Sequence, residues 1–300
     1  MPAAHVPPSA DQQELEELAR RALAEDLGQA GDVTSKRIVR AELPGRARIL
    51  AKSSGILAGT AMAAAVFKAV DPALAVDWKL ADGALLEPDA TVAELAGRAR
   101  AILAGERVAL NFLQHLSGVA TLTAAFVAAA QPHGVKILCT RKTVPGLRRL
   151  ERDAVAAGGG TKHRAGLYDA ILIKTSHIKL AGGIGEAVRR ARANPPMPVE
   201  VEVRTAEELE EALAAKAEWV LLDNAGPAEI AAAVARTRGV ASLEISGGVS
   251  LATVGAIAAL HPDAISVGAL THSAPAVDLA LHIAGPVGAG PRGAVPARGA

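Results

Sequence analysis

Six short apolar runs in the second half of the chain, at 136–140, 170–174, 199–203, 219–223, 241–245 and 264–267, constrain the fold more than any other feature. Each is too short for a helix, is mostly apolar in the manner of a strand buried on both faces, and is separated from the next by a segment of helical periodicity. That is the rhythm of parallel βα units. Every run ends in a polar group or a glycine: Thr140-Arg141-Lys142, Lys174, Glu202, Asp223-Asn224, Ser246-Gly247-Gly248 and Gly268-Ala269. In a barrel or doubly wound sheet such ends converge on one rim, so the site is expected at the strand C-termini. Cations arrive first, acids next and glycines last, which describes a pocket for a multiply charged anion beside a phosphate-binding turn. Unrelated surface salt bridges account for any one of these cations, but less readily for the set.

The first half has a different grammar. Alternation of apolar and polar residues around Ala47, Ile49 and Ala51, and again at 74–80 and 91–97, predicts antiparallel strands with one wet face. Ser9 followed by Gln12 predicts a capping box opening an amphipathic helix that stops at Gly28. A helical stretch over 100–130, broken or bent at Ser117-Gly118, is expected to separate the domains. The expected organisation is an N-terminal α/β domain over 1–117, a barrel domain over 118–270, a C-terminal helix at about 271–284 rejoining the first domain, and a disordered Gly/Pro/Ala tail over 285–300.

Composition narrows the partners. With 32 basic and 31 acidic residues the net charge is +1, and aromatics are 2% of the chain, which argues against a nucleic-acid face or a polybasic membrane patch. The apolar stretch 108–130 is interrupted by Asn111, Gln114 and His115, so no membrane span is expected, and the acidic N-terminal region suggests a cytoplasmic protein. The single cysteine, Cys139, reads as buried strand filler. His5, His133 and His261 are expected to face solvent, and His115 to sit on a helix face. Glu202 and Asp223, at neighbouring strand ends, suit Mg2+ held partly through water and substrate phosphates. Alternatively Glu200, Glu202 and Glu244 merely line a barrel mouth.

Several motifs carry a resemblance. Glu106-Arg107-Val108-Ala109-Leu110-Asn111, Thr140-Arg141-Lys142-Thr143-Val144-Pro145-Gly146, Gly158-Gly159-Gly160 with His163-Arg164-Ala165-Gly166, Leu221-Leu222-Asp223-Asn224 and Ser246-Gly247-Gly248-Val249 occur in one order along the chain. In these the chain resembles the quinolinate phosphoribosyltransferases, from Glu25-Asp26-Leu27-Gly28 to Thr271-His272-Ser273. The resemblance implies an open α/β sandwich domain followed by an incomplete seven-stranded α/β barrel of TIM-barrel type. It implies a Mg2+-dependent reaction of quinolinate with 5-phosphoribosyl-1-pyrophosphate (PRPP), giving nicotinate mononucleotide, pyrophosphate and CO2. By motif, Arg107, Arg141, His163, Arg164 and Lys174 would surround quinolinate, Arg107 being donated across a homodimer. Lys142 would face the pyrophosphate, and Glu202 and Asp223 the ribose and metal. Ser246, Gly247, Gly248, Gly268 and His272 would hold the 5-phosphate, with Lys142, Lys174, Glu202 and Asp223 as the catalytic set. One departure stands out: where the family usually reads Lys-Asp-Asn-His, this chain has Lys174-Thr175-Ser176-His177. Either the hydroxyls substitute through hydrogen bonds, or the chain acts on a related aromatic acid or has reduced activity. A non-catalytic anion-binding barrel is the third reading.

Overall fold

The computed structural model describes residues 12–193 and 197–284; Ser9 and the expected tail at 285–300 lie outside them. The described chain forms two compact units, one comprising Gly55–Ala58 and His115–Ala276, the other running to Ser54 and including Gly59–Gln114 and the segment from Val277.

The second of these units begins with α1 (Gln12–Leu27), which buries Leu15, Ala19 and Leu23 and stops at Gly28, whose φ of 51° is left-handed. Asp32 then caps α2 (Val33–Ile38), its carboxylate accepting the Ser35 N–H at 2.9 Å. The Gly31-Asp32-Val33-Thr34-Ser35 motif is therefore a helix start. β1 (Pro44–Ala51) buries Ala47, Ile49 and Ala51 and leaves Arg46 and Arg48 wet, as its alternation requires. After the short β2 (Gly55–Ile56) come α3 (Thr60–Val70), β3 (Ala75–Trp78), the short β4 (Leu85–Leu86) and β5 (Thr91–Arg98).

α4 (Ala99–Ala130) follows without the expected break at Ser117-Gly118. The small residues there admit other chain segments rather than bending the helix. Ser117 Oγ accepts the Ala58 N–H at 3.0 Å, and a Cβ on Gly118 would lie 2.2 Å from the Pro275 carbonyl oxygen. The division between the units falls within this helix, between Gln114 and His115. By length and composition α4 could cross a membrane, but half of its most apolar window is buried inside the protein, as in a core helix.

A 3-10 turn (Gln131–His133) leads into β6 (Lys136–Leu138), α5 (Arg148–Ala157), β7 (Ile171–Ile173), α6 (Thr175–Ala181) and α7 (Ile184–Ala191). The alternation continues through β8 (Val199–Val203), α8 (Ala206–Ala214), β9 (Trp219–Asp223), α9 (Pro227–Thr237), β10 (Ser242–Ser246), α10 (Leu251–Ala258) and β11 (Ala264–Ser266). These strands form a parallel sheet in the order β6-β11-β10-β9-β8-β7. The seventh strand of the expected incomplete barrel is reduced to one parallel bridge between Thr161 and Leu138, flanking β6. Cys139 is wholly buried, as its run implied.

The expected C-terminal helix is a strand. After the four-residue α11 (Ala269–His272), Pro275 intervenes and the chain enters β12 (Leu279–Ile283), which pairs antiparallel with β1 so that Ala51 faces Leu279 and Ala47 faces Ile283. Proline two residues before an alternating Val-Asp-Leu-Ala-Leu-His-Ile run ends helix and favours an edge strand. The antiparallel sheet order is β12-β1-β5-β3.

The glycine triplet has a packing role. Cβ atoms on Gly158 and Gly160 would lie 2.2 Å from the Ala120 carbonyl oxygen and 2.6 Å from Thr123 Cγ2, both on α4. Only bare backbone lets this turn approach α4 so closely before the chain pairs at Thr161 and delivers His163 and Arg164. Gly158→Ala is expected to cost about 2–4 kcal/mol in urea-induced unfolding, because the obstacle is helix backbone and cannot rotate away.

Candidate active site

A cavity of about 740 Å³ opens at the strand C-termini. Thr140–Lys142 reach it from the end of β6, His163 and Arg164 from the segment after Thr161, and Lys174–Ser176 from the end of β7. Glu202 lies in β8 and Arg204 follows it, Asp223 ends β9 with Asn224 next, and Ser246 ends β10 with Gly247 and Gly248 next. The single sheet thus gathers most of the residues singled out by sequence. Three stand apart. Arg107 is exposed on α4 and does not line this cavity; Gly268 and His272 do not line it either.

The loop bearing Arg141 and Lys142 is held from several sides. Thr271 Oγ1 donates to the Lys142 carbonyl at 2.7 Å, Arg148 Nε donates to Thr143 Oγ1 at 3.0 Å, and Glu151 Oε2 accepts the Val144 N–H at 3.1 Å. Glu151 is fully buried and its other oxygen lies 2.7 Å from His115 Nε2. His115 is therefore a partner in the loop's support, not an idle helix-face residue. His133 and His261 also have company, their rings meeting edge to face at 5.5 Å.

Arg164 is 8% exposed. Burial, and next the positive charge of Arg141, hold its guanidinium below the usual arginine range. Arg141 Nε is buried without a hydrogen-bond partner among the described residues. Two cations that repel each other, one with an unused donor, form a site completed by an anion.

Beneath them lies a trio that sequence reasoning did not resolve. His163 Nε2 is 3.3 Å from Glu200 Oε2 and 3.3 Å from Glu244 Oε2, and both acids are 0% exposed. Glu244 lines the cavity beside His163, yet both acids are buried at its floor rather than solvated at its rim. Burial pulls the His163 imidazolium down, but hydrogen bonds and charge from the two glutamates outweigh it and push it up to about 10. Burial and then the Glu244 charge push Glu200 up to about 7 against the pull of His163. The Val-Glu-Val-Glu-Val alternation of β8 was the available signal, since Glu200 and Glu202 must share the interior face.

The trio has the composition of a cation site, with three ligand atoms within 4.8 Å of one another. Its hydrogen bonding disfavours that use. The Arg164 backbone nitrogen lies 2.7 Å from His163 Nδ1, and Nε2 faces both carboxylates. Held as an imidazolium, the ring keeps a proton on Nε2 between the carboxylates, where a metal would need that nitrogen's lone pair. His163 lines the cavity, with its Nε2 3.3 Å from each of the two buried carboxylates.

Glu202 is held at both oxygens. Lys174 Nζ lies 2.7 Å from Oε2, and Thr175 Oγ1 donates to Oε1 at 2.8 Å. Burial pushes this carboxyl up, and those hydrogen bonds with the Lys174 charge more than reverse it, leaving it below the usual range. The Thr175 hydroxyl supplies a donor where an ionised aspartate could only repel Glu202, which favours substitution over loss of function. Asp223 Oδ2 meets Arg204 Nη2 at 3.3 Å. Two hard carboxylate donors at one rim fit Mg2+ bound through one or two acids and substrate phosphates, not a full protein cage.

At the glycine end, Gly247 and Gly248 have φ of 92° and 62°, the left-handed conformation expected of a phosphate-binding turn. The Asn224 side chain lies over Gly247, where a Cβ would be 2.3 Å from Asn224 Oδ1. Gly268 is not left-handed, with φ of −67°. It is glycine because Lys142 Cδ and His272 Nε2 would lie 2.9 and 3.2 Å from a Cβ.

Comparison with known proteins agrees with this architecture. The quinolinate phosphoribosyl transferase N-terminal domain matches residues 32–117 and the C-terminal domain residues 119–282. The chain is 41% identical over 297 residues to the chloroplastic nicotinate-nucleotide pyrophosphorylase [carboxylating] of Arabidopsis thaliana, covering 92% of this chain and 85% of that one. It is 41% identical over 272 residues to the probable nicotinate-nucleotide pyrophosphorylase [carboxylating] of Bacillus subtilis (strain 168), covering 90% and 93%. The solved nicotinate-nucleotide pyrophosphorylase of Francisella tularensis superposes with a TM-score of 0.89 at 39% identity, covering 92% of this chain and 98% of that one. With both domains matched along most of its length, the chain belongs to the quinolinate phosphoribosyltransferase family.

Proposed function

We propose that this protein transfers the phosphoribosyl group of PRPP to quinolinate and decarboxylates the product, giving nicotinate mononucleotide, pyrophosphate and CO2 for NAD synthesis. The observation that carries the reading is the pairing of half-buried Arg141 and buried Arg164, which repel each other, with the Glu202–Asp223 rim and a left-handed glycine turn in one cavity.

Arg141, Arg164 and Lys174 receive the two carboxylates of quinolinate, arginine forks matching each carboxylate two bonds at a time. This sets the pyridine nitrogen against the anomeric carbon. As the C–O bond to pyrophosphate breaks, positive charge grows on the ribose; Glu202 and Asp223 stabilise it, and Lys142 receives the departing anion. Mg2+, held by Asp223, Glu202 and the diphosphate, would neutralise charge on the leaving group. The nitrogen lone pair forms the new C–N bond and the ring becomes a pyridinium. Loss of CO2 from the carbon beside that nitrogen leaves an electron pair there, held by the ring cation and Lys174 until a proton is taken up. The turn at Ser246, Gly247 and Gly248 holds the 5-phosphate through backbone N–H groups.

A cytoplasmic homodimer in which Arg107 enters the partner's site belongs to the same proposal, and rests on the resemblance and on the exposure of Arg107. Purified protein with quinolinate, PRPP and Mg2+ is expected to form nicotinate mononucleotide, with nicotinate inert as acceptor. Donor binding without turnover of quinolinate would point instead to another aromatic acid, the reading left open by Thr175-Ser176.

A further inference from the structure

Arg204 is used by none of the roles above, yet it stands inside the cavity between the two rim acids. Its Nη2 is 3.3 Å from Asp223 Oδ2 and 3.9 Å from Glu202 Oε1. Its backbone is fixed, since its N–H donates to Glu208 Oε2 at 2.7 Å and the next residue, Thr205, caps α8 by accepting the Glu208 N–H at 3.2 Å. The side chain is 56% exposed, so a rigid base carries a solvated, movable guanidinium.

Its present contacts hold it lightly. One contact to Asp223 and a longer one to Glu202 in a solvated mouth contribute little, whereas a guanidinium fork meets a diphosphate with two oxygens at once. Phosphoribosyl transfer releases a multiply charged diphosphate at the rim where Glu202 and Asp223 alone would repel it, and on the roles above Lys142 is the one side chain, beside the metal ion, that offsets that charge. Resting on the phosphoribosyl-transfer reading, we infer that Arg204 is a diphosphate-binding residue, which lies on Asp223 and Glu202 in this structure and turns onto the diphosphate of the donor and of the released product. It adds a second side-chain cation to Lys142 and the ion.

Calorimetric titration of the wild-type protein, Arg204→Met and Arg204→Lys with Mg2+ and pyrophosphate, and separately with quinolinate, tests this. Arg204→Met is expected to weaken pyrophosphate binding about tenfold or more, the loss of one charge-assisted contact, with quinolinate affinity within about twofold of wild type. Arg204→Lys should recover part of the loss, because it restores charge without the fork. If wild type binds pyrophosphate and Arg204→Met binds it equally well or more tightly, Arg204 only occupies the acids and the inference is overturned. If wild type binds none, the phosphoribosyl-transfer reading falls, and this inference with it. Thermal unfolding of the variants should match wild type, since an exposed contact is all that is removed.

Discussion

Arg164→Ala is expected to weaken quinolinate binding by about a hundredfold or more in calorimetric titration, and PRPP binding by no more than about threefold. A buried guanidinium that pairs with a ligand carboxylate is worth about 2–5 kcal/mol when truncated, because the carboxylate then remains desolvated and unpaired. Loss of folding is not a rival explanation. Burial, and next the repelling charge of Arg141, hold the Arg164 guanidinium below the usual range. Removing one cation relieves the repulsion, so the unfolding midpoint should stay constant or rise while affinity falls. Equal losses for both substrates would remove Arg164 from the quinolinate end, and a fall in midpoint would make its role structural.

The same repulsion explains why the anion site was legible in sequence. Arg141, Lys142, Lys174, Glu202 and Asp223 terminate apolar runs, and a parallel sheet has no option but to bring such ends to one rim. β8 and β9 were found to the residue, at Val199–Val203 and Trp219–Asp223, because both are continuous apolar or alternating runs bounded by helical segments. What escaped depends on contacts distant in sequence. Nothing local says that Gly118 faces Pro275 instead of bending a helix, or that the run after Pro275 finds β1 as a partner and becomes β12. Glu200 and Glu244 read as mouth residues because one sequence gives their face but not their depth. Arg204 was passed over because the hydrophilic Arg204-Thr205 step reads as an ordinary helix start. The glycines divide the same way: Gly247 and Gly248 do adopt the left-handed conformation, whereas Gly158 and Gly268 answer to steric neighbours that only the fold supplies.

Depth is what gives the trio its predicted consequence. His163→Leu would leave Glu200 and Glu244, both 0% exposed, facing each other with no cation between them. Removing one partner of a buried ionic cluster costs about 3–5 kcal/mol, and that full loss is expected in urea unfolding at about pH 8. At about pH 5.5 the loss should be less than half as large, because Glu200, raised to about 7, can take up a proton and the repulsion falls. The signs follow from the shifts. Glu200 is raised from 4.5 to about 7 in the folded protein, so its ionisation opposes folding, and stability falls as pH rises through that interval. His163 is raised from 6.5 to about 10, so its stabilisation is complete below 6.5 and is lost only as pH climbs toward 10. In wild type the cation therefore offsets the cost of ionising Glu200 across neutral pH, and the variant loses that offset where the acids are most charged. Glu244→Gln provides the converse, since it leaves one carboxylate on His163, removes the second-largest cause of the Glu200 shift and should flatten the pH dependence with a smaller loss. A His163→Leu deficit equal at both pH values would mean that the ring is filling space, and that no charge is balanced beneath Arg164.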